Sequence, residues 1–249
     1  MTAAPIRTAI IGLSSTAVTS WASTAHLPSL ISPLGKTKFQ ITALCNSSVA
    51  AAQAAIKQYK LDPSTKAYGS PDDLAADLDI DFVICNTRVD KHFESTLPSV
   101  KAGKDVYIEW PIASNAAEIE TLVEEARKAG GKTLIGLQGR WAPPVLKLKE
   151  VVERGDIGKI LSVDVRAFGG SVDREILPTG LKYFSERKVG GNPIVIGFGH
   201  LFDFVQSAVG EIITESIGSQ LQLQRPQLRI RDPETKAIVE TVQSDVPDL

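Results

Sequence analysis

The sequence predicts an α/β chain: an N-terminal, doubly wound parallel sheet followed by an α+β domain with a mainly antiparallel sheet. Up to residue 138, short apolar runs alternate with helical segments of about 10 to 15 residues, the pattern of βαβ units with helices on both sheet faces. Beyond residue 138 the period shortens towards strict alternation and the segments crowd together. At 249 residues and 43% hydrophobic composition, the chain can bury a substantial core and is long enough for one large or two modest domains. The expected domains are residues 1–138 and 139–249.

Residues 6–12 form an apolar run that ends on a glycine, followed by small residues and a Pro-interrupted helix over residues 18–31. A second strand, residues 39–45, precedes an alanine-rich helix that Ser47 or Ser48 can cap. Ser70, Pro71, Asp72 and Asp73 read as a helix start, with serine as cap and acids facing the positive end of the helix dipole. Residues 81–85 and 106–108 read as further strands, with a helix over residues 91–102 stopped by Gly103. A helix from Ser114 or Asn115 to Ala129 leads to a last parallel strand, residues 133–137. In the second domain the expected elements are helices over 143–154 and 194–209 and strands over 159–168, 214–224, 227–231 and 238–242, with a loop region at 169–192. This sheet stops at Leu249 without a closing helix, so it reads as incomplete.

A formal charge of −2 with scattered Lys and Arg offers no basic stripe for phosphates, so direct nucleic-acid binding is not expected. Two cysteines, Cys45 and Cys85, sit inside apolar runs and read as reduced, buried thiols, not as a disulfide or metal site. No apolar run reaches the length of about 18 residues that spans a bilayer. The expected location is the cytoplasm or the nucleus.

The candidate chemistry begins at the first strand end. Gly12, Leu13, Ser14, Ser15, Thr16 and Ala17 occupy the place of a G-x-G-x-x-G/A loop, where a glycine lets the backbone approach a pyrophosphate at a helix N-terminus. Only the first glycine is kept, and Ser14 stands in for the second. The second strand ends in Asn46 and Ser47, with no carboxylate to grip a ribose 2′-hydroxyl and no arginine for a 2′-phosphate, so the cofactor is NAD or NADP.

Further along, Ala102, Gly103 and Lys104 lead to Glu109 and Pro111, and Asn86 and Thr87 precede His92. Gly139, Arg140, Trp141 and Pro143 follow, then Gly155 and Gly158, then Gly190 and Gly191 ahead of His200 and Asp203. In this order, over about residues 6–210, they resemble the glucose-fructose oxidoreductase/inositol dehydrogenase/MocA (Gfo/Idh/MocA) family of NAD(P)-dependent oxidoreductases. Glu109 with Trp110, the run from Leu137 through Gln138 and Gly139 to Arg140, and Gly199 with His200 resemble its fungal, Gal80-like subgroup. The resemblance implies a Rossmann-type first domain. It also implies cofactor contacts from the Gly12–Ala17 loop, Asn46, Ser47, Thr87, Arg88, His92, Glu109, Trp110, Gln138, Arg140 and Trp141, with Glu109 near the nicotinamide ribose. Family enzymes carry a lysine where this chain has Trp110, and an indole cannot move a proton near neutral pH. An aspartate usual four residues before the active-site histidine is here Ile196. His200 is therefore the expected acid or base, with Lys182 and Tyr183 as alternatives. His26 reads as structural.

The expected function is NAD(P)-dependent hydride transfer to or from a small carbonyl, imine or polyol-like substrate without the usual lysine. One alternative is a Gal80-like regulator that binds a dinucleotide and a protein partner without turnover; a second is a non-redox isomerase or cyclase. A homodimer through the second-domain sheet is also expected.

Overall fold

The computed structural model describes residues 4–17, 20–167 and 173–249 and divides into two units, Met1–Gly136 and Leu137–Leu249. Six strands in the first unit, β1 (Ile6–Ile11), β2 (Phe39–Cys45), β3 (Lys66–Tyr68), β4 (Phe82–Cys85), β5 (Asp105–Glu109) and β6 (Thr133–Gly136), form one sheet in the order β3-β2-β1-β4-β5-β6. Every pairing is parallel. Chain order reverses between β1 and β4, which is where open α/β sheets place ligands, outside the strands' carboxyl ends.

The strands are legible because both faces are covered. On β1, Ala9 and Ile11 face one core with Ala43, Cys45, Val83, Cys85, Val106 and Ile108, while Ile10 faces the other with Leu44 and Ile84. A strand buried on both faces reads as a continuous apolar run. Both thiols lie in the first core and are free, and burial pushes Cys45 up to about 11 and Cys85 up as well.

Helices α1 (Leu27–Leu30), α2 (Pro33–Lys36), α3 (Val49–Gln58), α4 (Pro71–Ala76), α5 (Val89–Lys101) and α6 (Ala116–Ala129) fill the crossovers. Ser48, Ser70 and Asn115 cap α3, α4 and α6 through their side-chain oxygens, and Gly130 ends α6 in the left-handed conformation. The helix expected over 18–31 forms over residues 21–30, wound as a wider π-helix at Ala22–His26 before it continues as α1; residues 18 and 19 lie outside the described residues. Pro28 sits in the first turn of α1, where its missing N–H costs nothing.

The second unit holds α7 (Pro143–Glu153), β7 (Ile176–Pro178), α8 (Pro193–Val209), β8 (Gln227–Arg231) and β9 (Ile238–Gln243). Its sheet, β7-β8-β9, is mixed: β7 runs parallel to β8 and β9 antiparallel to it. Leu177, Phe184, Leu228 and Ile230 form its core. Two expected strands are absent among the described residues. Residues 160–167 have no regular structure and expose Leu161 at 89%, and the 214–224 stretch holds only a short 3-10 turn, Thr214–Ser216. Alternation marks a segment able to pair, but a strand also needs a neighbour for its backbone donors and acceptors. Residues 160–167 have no such neighbour among the described residues, and the 214–224 stretch meets one only at Gln222, whose backbone exchanges hydrogen bonds with Asp248 and Leu249 at 2.8–3.2 Å. Conversely, β7 arises inside the stretch expected to be a loop, because its partner β8 comes from 51 residues downstream, counting from Ile176 to Gln227.

Among the described residues, no helix is long and apolar enough to cross a membrane, and no group of three or more His, Cys, Asp or Glu is placed to hold a metal ion.

Candidate functional site

The carboxyl edge of the six-stranded sheet is assembled strand by strand. Gly12, following β1, has φ +92, and a Cβ there would meet the Asn86 carbonyl carbon and oxygen at 2.9 Å. Only glycine allows this approach between the β1 and β4 turns. Beyond it, Leu13 is fully buried, and Ser14 Oγ accepts from the Thr16 N–H at 3.1 Å. Ser15 is half-buried, whereas Thr16 and Ala17 are exposed. Two side chains hold the loop by its carbonyls: Asn46 Nδ2 donates to Leu13 O at 2.9 Å, and the Tyr59 hydroxyl donates to Ser14 O at 2.8 Å. Asn46, expected to face a ribose, thus uses its amide N–H to brace the loop, while Ser47 is exposed beside it.

At the end of β4, the side-chain nitrogen and oxygen of Asn86 are both buried without a hydrogen-bond partner among the described residues. Buried amides are almost always satisfied, and leaving one unpaired costs about 1–3 kcal/mol. Thr87 and Arg88 follow, Arg88 gripping Asp90 at 2.5 and 2.6 Å. His92, 2% exposed on α5, sets its Nδ1 2.8 Å from Pro111 O and its Nε2 2.9 Å from Thr87 O. It thereby ties the turn after β4 to the turn after β5, where the Trp110–Pro111 peptide is cis. Burial holds the imidazole below its ordinary range, against the two carbonyls and Glu109, which favour the charged ring.

Glu109 ends β5, and three donors converge on its Oε1: Trp21 Nε1 at 3.0 Å, His26 Nε2 at 2.5 Å and the Tyr107 hydroxyl at 3.2 Å. Residues i and i+2 of a strand share a face, so Tyr107 and Glu109 look together towards the segment that carries Trp21 and His26. That segment packs through Ala22 and Leu27 on the core which Tyr107 also joins. Sequence reading missed this cluster and read His26 as structural. The i, i+2 pairing of Tyr107 and Glu109 was the available signal, but nothing local points to partners 83 and 88 residues away.

In the second unit, Gln138, Arg140 and Trp141 lie in a 3-10 turn, Gln138–Trp141, with Trp141 70% exposed. Gly139 lets this turn approach α8, since a Cβ there would meet the Phe204 ring at 3.1 Å. Arg140 grips Asp203 through Nε at 2.9 Å and through Nη2. Asp203 is thus paired with Arg140 and does not hydrogen-bond His200, which sits half-buried one turn earlier on α8. Removing the Arg140 fork with Arg140→Met should lower the unfolding free energy by about 1 kcal/mol, the scale of a half-exposed charge pair, read by urea denaturation. Lys182 is bound to Glu240 of β9 at 2.7 and 2.8 Å, and Tyr183 stands edge-on to Phe184 with centroids 4.8 Å apart. Ile196, where the resemblance expects a carboxylate, packs against the core of the small sheet.

Residues 6–137 match the oxidoreductase family with an NAD-binding Rossmann fold, Gfo/Idh/MocA, and residues 143–249 match the C-terminal domain of Gal80p. The dehydrogenase aclE of Aspergillus oryzae is 34% identical over 225 residues, covering 90% of this chain and 60% of the relative. The galactose/lactose metabolism regulatory protein GAL80 of Saccharomyces cerevisiae is 29% identical, covering 99% of this chain and 57% of the relative. The crystal structure of the transcriptional regulator Gal80p of Kluyveromyces lactis superposes with a TM-score of 0.85 at 26% identity, over 98% of this chain and 59% of that one. The chain therefore spans somewhat under two thirds of the length of these relatives. With its sheet order, its glycine turn and both matches in register, the chain belongs to the Gfo/Idh/MocA oxidoreductase family and carries a Gal80-like second half.

Proposed function

We propose that this protein binds NAD or NADP at the carboxyl edge of the six-stranded sheet and exchanges hydride with a small carbonyl, imine or polyol-like substrate. The observation that carries the binding reading is Asn86: a buried amide with no partner, pressed against Gly12 where the chain order reverses. A polar group left unpaired in such a place is explained by a ligand that pairs with it. The residues present fit a dinucleotide. The Gly12 turn offers close backbone approach, Asn86 offers a donor and an acceptor, and Glu109 offers a carboxylate held in place for ribose hydroxyls. When bound, the nicotinamide supplies hydride exchange; the chain's own residues bind, orient and move the proton.

Asn86→Leu separates a ligand contact from a packing role. Without nucleotide the variant should be more stable by about 1 kcal/mol, because the unpaired amide is gone. Its affinity for NADH or NADPH, followed by fluorescence titration, should fall at least tenfold. Unchanged affinity for both would count against this site, and parallel titrations decide between the two nucleotides.

A second reading has its own support. Trp110 replaces an ammonium with an indole, and the second half matches the Gal80p C-terminal domain. Both favour a regulator that binds a dinucleotide and a protein partner without turnover. Binding of NADH with no oxidation or reduction of polyol, sugar, carbonyl or imine probes would select it.

A further inference from the structure

The pair formed by His26 and Glu109 has a chemical use that its place beside residue 110 suggests. The two side chains are mostly buried, 18% and 12% exposed, and His26 Nε2 lies 2.5 Å from Glu109 Oε1. The imidazole stands edge-on to the Tyr107 ring with centroids 5.2 Å apart. A carboxylate at Nε2 keeps the neutral ring's proton on that nitrogen and makes Nδ1 the accepting one. Orientation of a histidine by a carboxylate in this manner is how imidazoles are prepared to take protons from hydroxyl groups.

The other titratable groups near this edge are committed elsewhere. His92 has both nitrogens against backbone carbonyls. Burial pushes Cys45, Cys85 and Tyr107 upward, away from neutrality. Lys104, one residue before β5 and so at the opposite end of that strand, donates to the carbonyls of Asp77 and Ile80 at 2.6 and 2.8 Å.

We propose that His26, oriented by Glu109, is the proton-transfer residue of this protein and serves in place of the ammonium missing at position 110. This rests on the oxidoreductase reading above. In the direction of alcohol oxidation, His26 Nδ1 takes the hydroxyl proton as the carbon–hydrogen bond gives its electron pair, as hydride, to the oxidised nicotinamide. A carbonyl forms, the nicotinamide is reduced, and the proton rests on the imidazolium facing Glu109. Among the described residues, His26 meets the Glu109 carboxylate and the edge of the Tyr107 ring from β5, while the Tyr107 hydroxyl and the Trp21 indole converge on the same Glu109 oxygen.

The chain has three histidines, so their ring protons can be assigned by NMR from His26→Gln, His92→Gln and His200→Gln. NADH should move the His26 signal, whereas ADP-ribose, which lacks the nicotinamide, should leave it in place. With polyol probes and NAD or NADP, His26→Gln should lower kcat about 100-fold or more with KM little changed, and the acid limb of the pH–rate profile should disappear. NADH binding that leaves the His26 signal unmoved, or an acid limb carried by His200 instead, overturns the proposal while sparing the oxidoreductase reading. Binding without turnover of any probe overturns that reading and the proposal with it, and no binding of either nucleotide overturns the site itself. The His92 and His200 signals report whether His26→Gln is folded, and a variant with intact signals and wild-type turnover also overturns the proposal.

Discussion

Gly12→Val should lower the affinity for the proposed nucleotide by one to two orders of magnitude and lower the melting temperature. At φ +92 any residue with a Cβ is strained, and here the added carbon meets backbone as well: Asn86 C and O at 2.9 Å, with Thr87 Cγ2 at 3.0 Å. The left-handed conformation costs about 1–2 kcal/mol and overpacking a further 1–3 kcal/mol, a loss of about 2–5 kcal/mol from a stability that for most domains is only about 5–15 kcal/mol. The protein therefore stays folded at low temperature, but the turns after β1 and β4 are wedged apart. At about 1.4 kcal/mol per tenfold, even half of this strain relieved only by moving the turn lowers NADH affinity by one to two orders of magnitude. Calorimetry and fluorescence titration of the same sample read both effects. A variant with wild-type melting and wild-type affinity would remove Gly12 from the site.

Acid weakens the fold through His92, and His92→Phe shows how much. In the folded chain burial keeps this imidazole below its ordinary value of 6.5. Below that value the unfolded chain takes up a proton that the folded chain refuses, so stability is fully present above about pH 6.5 and is lost as pH falls towards the lowered folded value. His92→Phe removes this proton linkage. It also removes the neutral ring's one N–H, leaving either the Thr87 or the Pro111 carbonyl without a side-chain donor, which costs about 1–3 kcal/mol at pH 8. Urea denaturation should show the variant weaker at pH 8 yet losing less between pH 7 and pH 5 than the wild type. Equal losses over that interval would mean that His92 takes up its proton as readily in the fold as in the unfolded chain.

The first unit was legible because its local signals agree. Apolar runs set β1, β2, β4, β5 and β6, and side-chain caps at Ser48, Ser70 and Asn115 began helices where sequence placed them. The strand β3 was not, being only Lys66–Tyr68 at the sheet edge with too few residues to show a period. In the second unit, the pattern at 159–168 and 214–224 signalled strands that do not form among the described residues, Phe168 itself lying outside them: the first finds no neighbour there, and the second meets one only at Gln222, beside Asp248 and Leu249. Register there depends on distant partners, which local pattern does not contain. The candidate site divides along the same line. Gly12, Glu109 and Pro111 stand out as residue types at strand ends, and their spacing carries the family resemblance. Trp21, His26 and Tyr59 act by reaching across the fold, and Asn86 stands out only by what it lacks.

The saturation of Glu109 Oε1 gives the edge of the sheet a direction. β1 and β5 flank β4, so the Gly12 turn and the Glu109 carboxylate sit two strand spacings apart, about 10 Å. At the first of these, backbone N–H groups and small hydroxyls tolerate anionic oxygen; at the second, a negative charge rejects it and accepts hydroxyl donors instead. The dinucleotide proposed above, with phosphates at one end and free hydroxyls at the other, would therefore fit this edge one way round, and the reversed molecule would be turned away by charge before shape is consulted.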